Sequence, residues 1–437
     1  MPTVQGAIGM GPLRETLFKF PPVVRRRLAL LIARSMERVV YSTYPARKTP
    51  KEEKMNRTNG SRLCGAWVEF AVATILAVAL SLLLISCRNA STAHSIGDPT
   101  VGTLATAGSM IVGRSLHTAT LLPTGEVLLV GGGTPEPPAT RTVEIFDPRT
   151  GQTRTAGETN VAREDHTATL LPNGTVLIVG GLGSAASSAE IYEPATCTST
   201  LVGPLTEPRS DHAAVLLESG KVLILGGDTS GVGATPTAGA ELYDPFTRTF
   251  TSTGRMSAPR VPYGVVRVND GRVLVAGGTT TGKQVLASAE IYDPRAGQFT
   301  STGSLLSARR KHAGAILVDG TVLIMGGTTS ASDSVVLNST ESFDPSQGHF
   351  QPAPPMRSAR YKFTVVFLKN GSLLVAGGSP ETVEVFDQRT GQFMAVAKGQ
   401  QGLRLFPTAT LLSDGSALIA GGYGGNGSQS TLWRYTP

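Results

Sequence analysis

Seven times in this chain an arginine is followed, 17 residues later, by a Gly-Gly pair. The arginines are Arg114, Arg163, Arg209, Arg260, Arg309, Arg360 and Arg404, and the pairs begin at Gly131, Gly180, Gly226, Gly277, Gly326, Gly377 and Gly421. A further glycine stands six residues before each pair, from Gly125 to Gly415. Successive pairs lie 49, 46, 51, 49, 51 and 44 residues apart, so insertions fall in one part of the unit only. A register of this kind is one supersecondary unit written seven times. Such a unit buries its apolar faces against its neighbours rather than in one irregular core.

Within the unit the pattern is that of β-structure. In the second copy, His166–Leu171 and the apolar run Val176–Val179 flank Asn173-Gly174, a dipeptide that predicts a tight hairpin with a type I′ turn. Asp270-Gly271, Asp319-Gly320, Asn370-Gly371 and Asp414-Gly415 repeat it, with Thr124-Gly125 and Ser219-Gly220 as weaker variants. A strand apolar on both faces is one covered on both sides. A third strand follows a variable loop: Val143-Glu-Ile-Phe-Asp-Pro148, Ala189-Glu-Ile-Tyr-Glu-Pro194, Ala240-Glu-Leu-Tyr-Asp-Pro245 and their equivalents. Proline after the acidic residue ends pairing, and a glycine step such as Gly151, Gly297 or Gly391 opens a fourth strand. The predicted fold is all-β, a seven-bladed β-propeller of four-stranded antiparallel blades. The seventh copy reaches only its third strand, Leu432–Pro437. Residues near 101–107 are therefore expected to supply the missing outer strand and close the ring.

The Gly-Gly doublet, the aromatic-Asp-Pro after strand three and the Arg-x-x-His at His117, His166, His212 and His312 resemble the kelch repeat in its bacterial galactose-oxidase-like form. The resemblance covers residues 101–437. Phenylalanine (Phe250, Phe299, Phe350, Phe393) replaces the tryptophan often found in the fourth strand, and the histidine becomes Tyr263, Phe363 and Pro407 in three copies. Galactose oxidase is a copper enzyme, so the resemblance raises an enzymatic reading. The implied ligand set, a Tyr-His pair with further Tyr and His and a thioether cysteine, is not matched: the chain has no Tyr-His dipeptide, and Cys197 is the one propeller cysteine. A kelch-type sugar mutarotase, which takes no metal, is the enzymatic alternative. No cofactor is expected, and six histidines spread singly along the chain make no metal-ligand spacing.

The net charge of +7 is carried by the N-terminal region. Residues 1–87 hold 13 Lys/Arg against 5 Asp/Glu, leaving 26 against 27 for residues 88–437. A near-neutral propeller gives no footing for nucleic-acid binding. Basic residues precede a 17-residue apolar run, Phe70–Ser86, followed at once by Cys87, the parts of a secretory signal. Leu84-Ile85-Ser86-Cys87 resembles a bacterial lipobox, which makes Cys87 the expected lipidation site; an uncleaved signal-anchor is the other reading. The organisation expected is thus an extension at 1–54 outside the natural start (Met55 being a sensible initiator) or a basic cytoplasmic segment, a signal at 55–86, a lipidated cysteine and tether at 87–100, and the propeller at 101–437. The three cysteines make no disulfide framework.

The arginines themselves read as scaffold, since a residue needed in every blade satisfies something every blade requires. Glutamates at one position of strand three (Glu144, Glu190, Glu241, Glu290, Glu341, Glu384) are the expected partners, because buried charges persist when paired. Residues that differ between blades beside these arginines are the candidate binding positions: Glu164, Asp211, Arg310, Lys311, Tyr361 and Lys362. The function expected is a non-catalytic, monomeric binding module, lipid-anchored to a bacterial envelope, with an envelope protein or a glycan as partner.

Overall fold

The computed structural model describes residues 101–134, 139–230, 235–378, 382–398, 405–425 and 427–437. The expectations for residues 1–100, Cys87 among them, and for Arg404 lie outside the described residues. Seven four-stranded antiparallel sheets are present, each with its strands in spatial order one to four. Blade 1 comprises Thr118–Leu121, Val127–Val130, Thr142–Asp147 and Gln152–Glu158. Blade 2 comprises Thr167–Leu170, Val176–Val179, Ala189–Glu193 and Thr198–Val202. The first strands of successive blades touch all the way round, blade 7 meeting blade 1, so they form the inner ring. The third strand of blade 7, Thr431–Thr436, pairs with Thr103–Ser109 from the other end of the described chain, with a register shift between Thr106 and Gly108. That outer strand also lies against the outer strands of blades 1 and 6.

Burial follows the position in the blade. The second strands, such as Val222–Leu225 and Val322–Met325, are wholly buried along their length, and they feed apolar clusters that each span two neighbouring blades. Leu177 and Val179 of blade 2, for example, pack with Val222 and Ile224 of blade 3. First strands are half-buried because one face looks into the axial channel.

The hairpin turn differs from the type I′ expectation. Only the glycine takes a positive φ (+86° at Gly174), not Asn173. Gly174 donates its N–H to Leu171 C=O at 2.9 Å and Leu171 donates to Thr175 C=O at 2.8 Å. This is a type I turn closed by a left-handed glycine and a bulge. All seven copies share it, so the residue before the glycine is free to be Thr or Ser.

Candidate functional site

The 17-residue register has a direct cause. In each of the six described copies, Nη1 of the arginine donates to the carbonyl of the first glycine of its own doublet, at 2.8 to 3.2 Å. The second glycine donates its N–H to the arginine carbonyl of the next blade, as from Gly132 to Arg163 (2.8 Å) and from Gly422 to Arg114 (3.0 Å). A side chain on the first glycine would strike that next blade: a Cβ at Gly180 would lie 2.3 Å from the Arg209 carbonyl oxygen. The doublet is thus a close approach between blades that only glycine permits.

The six arginines are fully buried, and each pairs through Nη2 with the glutamate of its own blade: Arg114–Glu144, Arg163–Glu190, Arg209–Glu241 at 2.5 Å, and Arg260–Glu290, Arg309–Glu341 and Arg360–Glu384 at 2.6 Å. The glutamate also accepts from backbone N–H groups two or three residues before the arginine, Asn160 and Val161 in blade 2. Burial would raise the Glu190 pKa, but hydrogen bonds from Ser199 and Asn160 and the Arg163 charge outweigh it and hold the carboxyl below its usual range. The Nη groups and the carboxylates are taken up within the blade, while Nε of Arg163, Arg209, Arg260 and Arg360 is buried without a partner. In blade 7 Trp433 stands opposite Ile419, where the other blades place the glutamate.

The repeated histidines are scaffold as well. Nε2 of His166, His212 and His117 lies 3.1, 2.8 and 3.1 Å from the hydroxyls of Thr118, Thr167 and Thr408, each on the preceding blade. Burial pushes the His117, His212 and His312 pKa values down to about 3, so they are neutral imidazoles. His312 faces Gly264 instead of a threonine, where a Cβ would lie 2.3 Å from its Nε2.

What varies lies one and two residues after each arginine. The second position forms a ring at the channel mouth: Leu116, Asp165, Asp211, Pro262, Lys311, Lys362 and Phe406. All but Pro262 adopt left-handed backbone, with φ between +51° and +56°, a conformation that costs roughly 1–3 kcal/mol for a side-chain-bearing residue. The turn is imposed by the blade, whatever the residue. It lets the N–H of one member donate to the carbonyl of the preceding one: Asp165 to Leu116 (3.2 Å), Asp211 to Asp165 (3.1 Å), Lys362 to Lys311 (3.1 Å) and Phe406 to Lys362 (2.9 Å). Proline in blade 4 has no N–H to continue the chain.

The ring is electrically lopsided. Blades 2 and 3 contribute Asp165 and Asp211, joined by Glu164; blades 5 and 6 contribute Lys311 and Lys362, joined by Arg310. Burial, followed by the charges of Asp211 and Glu164, pushes the Asp165 pKa up to about 8 against the pull of Lys362. Burial and Asp228 push Asp211 to about 6, opposed by Lys311 and Lys362, and burial then Asp211 raise Glu164. On the other side, burial and the neighbouring Lys311 bring Lys362 down to about 8, with Asp333 opposing. Lys362 Nζ sits 4.3 Å from the centroid of Phe406 and 5.6 Å from that of Tyr361, a cation–π arrangement.

Four of the six candidate positions, Asp211, Lys311, Tyr361 and Lys362, come together here with Glu164 beside them. Arg310 has another task. It holds the loop after strand two of blade 5, donating to Ser330 C=O (3.1 Å), to Ala331 C=O and to Asp333 (2.7 Å), while Lys311 reaches the same Asp333 at 2.6 Å. Asp165, Tyr263, Asp333 and Phe406 belong to the site but were not among the sequence candidates. Asp165 and Phe406 carry the same offset from an arginine as Lys311. Tyr263 occupies a repeat histidine position, and burial raises its phenol well above the usual range.

The Kelch motif matches residues 259–306 and 309–357, which are blades 4 and 5. No curated protein matches the chain. Among solved structures, a fungal alcohol oxidase of the AA5 family in complex with copper is similar at 18% identity over 77% of this chain and 76% of that one, with a TM-score of 0.63; at that identity the likeness shows the fold. The residues here do not fit a copper centre of that kind. His117, His166 and His212 are committed between blades, and no group of three or more His, Cys, Asp or Glu side chains that could hold a metal ion occurs among the described residues.

Proposed function

We propose that this seven-bladed propeller with kelch motifs is a non-catalytic binding module whose partner, an envelope protein or a glycan, engages the channel mouth. The observation that carries the reading is the lopsided ring. A scaffold that repeats its buried polar groups blade by blade departs from that repetition at this circle of positions, and there it holds carboxylates and the Lys362 ammonium that scaffold bonds do not use. Kelch propellers in general mediate protein interactions, and loops on rigid frames are where recognition concentrates. The basic, apolar and Cys87-terminated leader favours export and a lipid anchor at a bacterial envelope, with the propeller outside the cytoplasm.

A second reading, a metal-free carbohydrate-active enzyme such as a sugar mutarotase, draws on one feature. Asp165 and Lys362 both titrate near about 8, within reach of neutral proton transfer. A glycan array and an anomerisation assay on the full chain separate the two. Binding lost in Asp211→Asn and Lys362→Met without turnover in the parent supports the module. Turnover that disappears in Asp165→Asn overturns it in favour of the enzyme, and binding indifferent to all three substitutions removes the mouth as the site.

A further inference from the structure

The two charged halves of the ring face one another and do not pair. The side chains of Glu164, Asp165 and Asp211 make no hydrogen bond or ion pair among the described residues, and Lys362 has no carboxylate partner. Asp333 is shared by Arg310 and Lys311 on the basic side, so one carboxylate meets three cations and Lys362 is the ammonium outside that pairing. Had the halves been scaffold like the six Arg–Glu pairs, they would be in contact with hydrogen bonds saturated. Between them the ring is apolar on both flanks: Pro262 separates Asp211 from Lys311, and Phe406 with Leu116 separates Lys362 from Asp165. Order around the axis is therefore acid, acid, apolar, base, base, apolar, apolar.

From this order we infer that the mouth takes a compact zwitterion, its cationic group seated among Glu164, Asp165 and Asp211, its anionic group on Lys362, and a short apolar spacer against Pro262 or Phe406. The inference rests on the mouth being the binding site and adds the chemistry of what enters. Opposite charges supplied by one ligand satisfy both halves at once, whereas a singly charged ligand leaves the other half unpaired and desolvated. The titration behaviour agrees: without a cation Asp165 holds its proton to about 8, and without an anion Lys362 releases its proton near about 8. Tyr361, with Lys311 Nζ 5.9 Å and Lys362 Nζ 5.6 Å from its ring centroid, lies within cation–π reach of both ammonium groups.

The test uses calorimetric titration of the full chain with ω-amino acids from glycine to 6-aminohexanoate, alongside n-alkylamines and n-alkanoates of the same lengths. The expected result is one preferred spacer length that binds about tenfold or more tightly than either singly charged compound. In Asp165→Asn/Asp211→Asn the advantage over the alkanoate vanishes, and in Lys362→Met the advantage over the amine vanishes. Equal affinity of zwitterions and singly charged compounds, or no binding by any of them, overturns the inference. If none binds while glycan or protein capture still depends on the ring residues, the mouth remains the site and only the zwitterion is wrong. If capture is indifferent to the ring as well, both readings fall.

Discussion

Glu190 shows why the arginines that reveal the repeat are its least available polar groups. Its carboxylate holds Arg163 and two backbone N–H groups in a site with no exposure. Glu190→Gln leaves a guanidinium buried without a counter-charge, and urea unfolding is expected to show a loss of about 3–5 kcal/mol. Glu158→Gln, in an exposed pair with Arg141, should cost less than about 0.5 kcal/mol; equal costs would mean that the buried pair is not structural. Asp165 gives a pH signature of opposite origin. Its folded pKa is raised from 3.8 to about 8, so the fold favours the protonated acid, and its contribution falls as pH rises from about 4 to about 8. The histidines, depressed to about 3, contribute fully above their ordinary 6.5 and lose that contribution as pH falls below it. Asp165→Asn should therefore gain on the parent as pH rises from 4 to 8, reaching about 1–2 kcal/mol because the side chain is only half-buried and solvent screening reduces the effect. A constant difference across that range, read from melting curves, would count against the buried-acid account. The positions of such residues were legible in the sequence, since the offset that marks Lys311 also marks Asp165 and Phe406. Their energetics were not, because they depend on which blades face each other across the axis.

At the level of the element, the repeat was legible in strand order and in the burial of the second strands, and less so in its turns. Asn-Gly is compatible with type I′ and with the type I plus bulge found here; the choice is made by the Leu171 hydrogen bonds, which a dipeptide does not encode. The turn after strand three carries a testable irregularity. Glycines 151, 297, 348 and 391 sit there with φ of +65° to +71°, but Cys197 and Arg248 occupy the same place at +56° and +57°. The N–H of Arg248 bonds to Asp244 C=O at 2.8 Å, as that of Gly297 does to Asp293, so the turn survives the wrong residue at a backbone cost. Arg248→Gly relieves that strain and pays back part of it in unfolded-chain entropy, for an expected net gain of about 0.5–1 kcal/mol. A loss in thermal or urea midpoint would mean that the arginine makes a compensating contact.

On the scale of the whole molecule, seven copies of a blade leave two open edges unless the ring shuts, and an unpaired β-edge templates association. Blade 7 has its first three strands at residues 408–436 and its fourth at Thr103–Ser109. That outer strand covers Trp433 and Tyr435 by pairing them with Thr106 and Leu104, and Met110 just after it packs with Leu432 and Leu418 in the cluster shared by blades 7 and 1. Removing residues 98–108 takes away five of the six residue pairings of that strand and bares the edge beside a buried apolar cluster, while the inner ring of first strands stays intact. The expected outcome is a chain that melts well below the parent and elutes as multimers on size exclusion, because the exposed edge of blade 7 is the same in every copy and pairs with itself. Restoring the segment as a separate peptide should recover the monomer. A deletion that remains monomeric at the parent's melting temperature would show that blade packing alone holds the ring, and that the strand contributed from the other end of the chain is an ornament to the closure and not its cause.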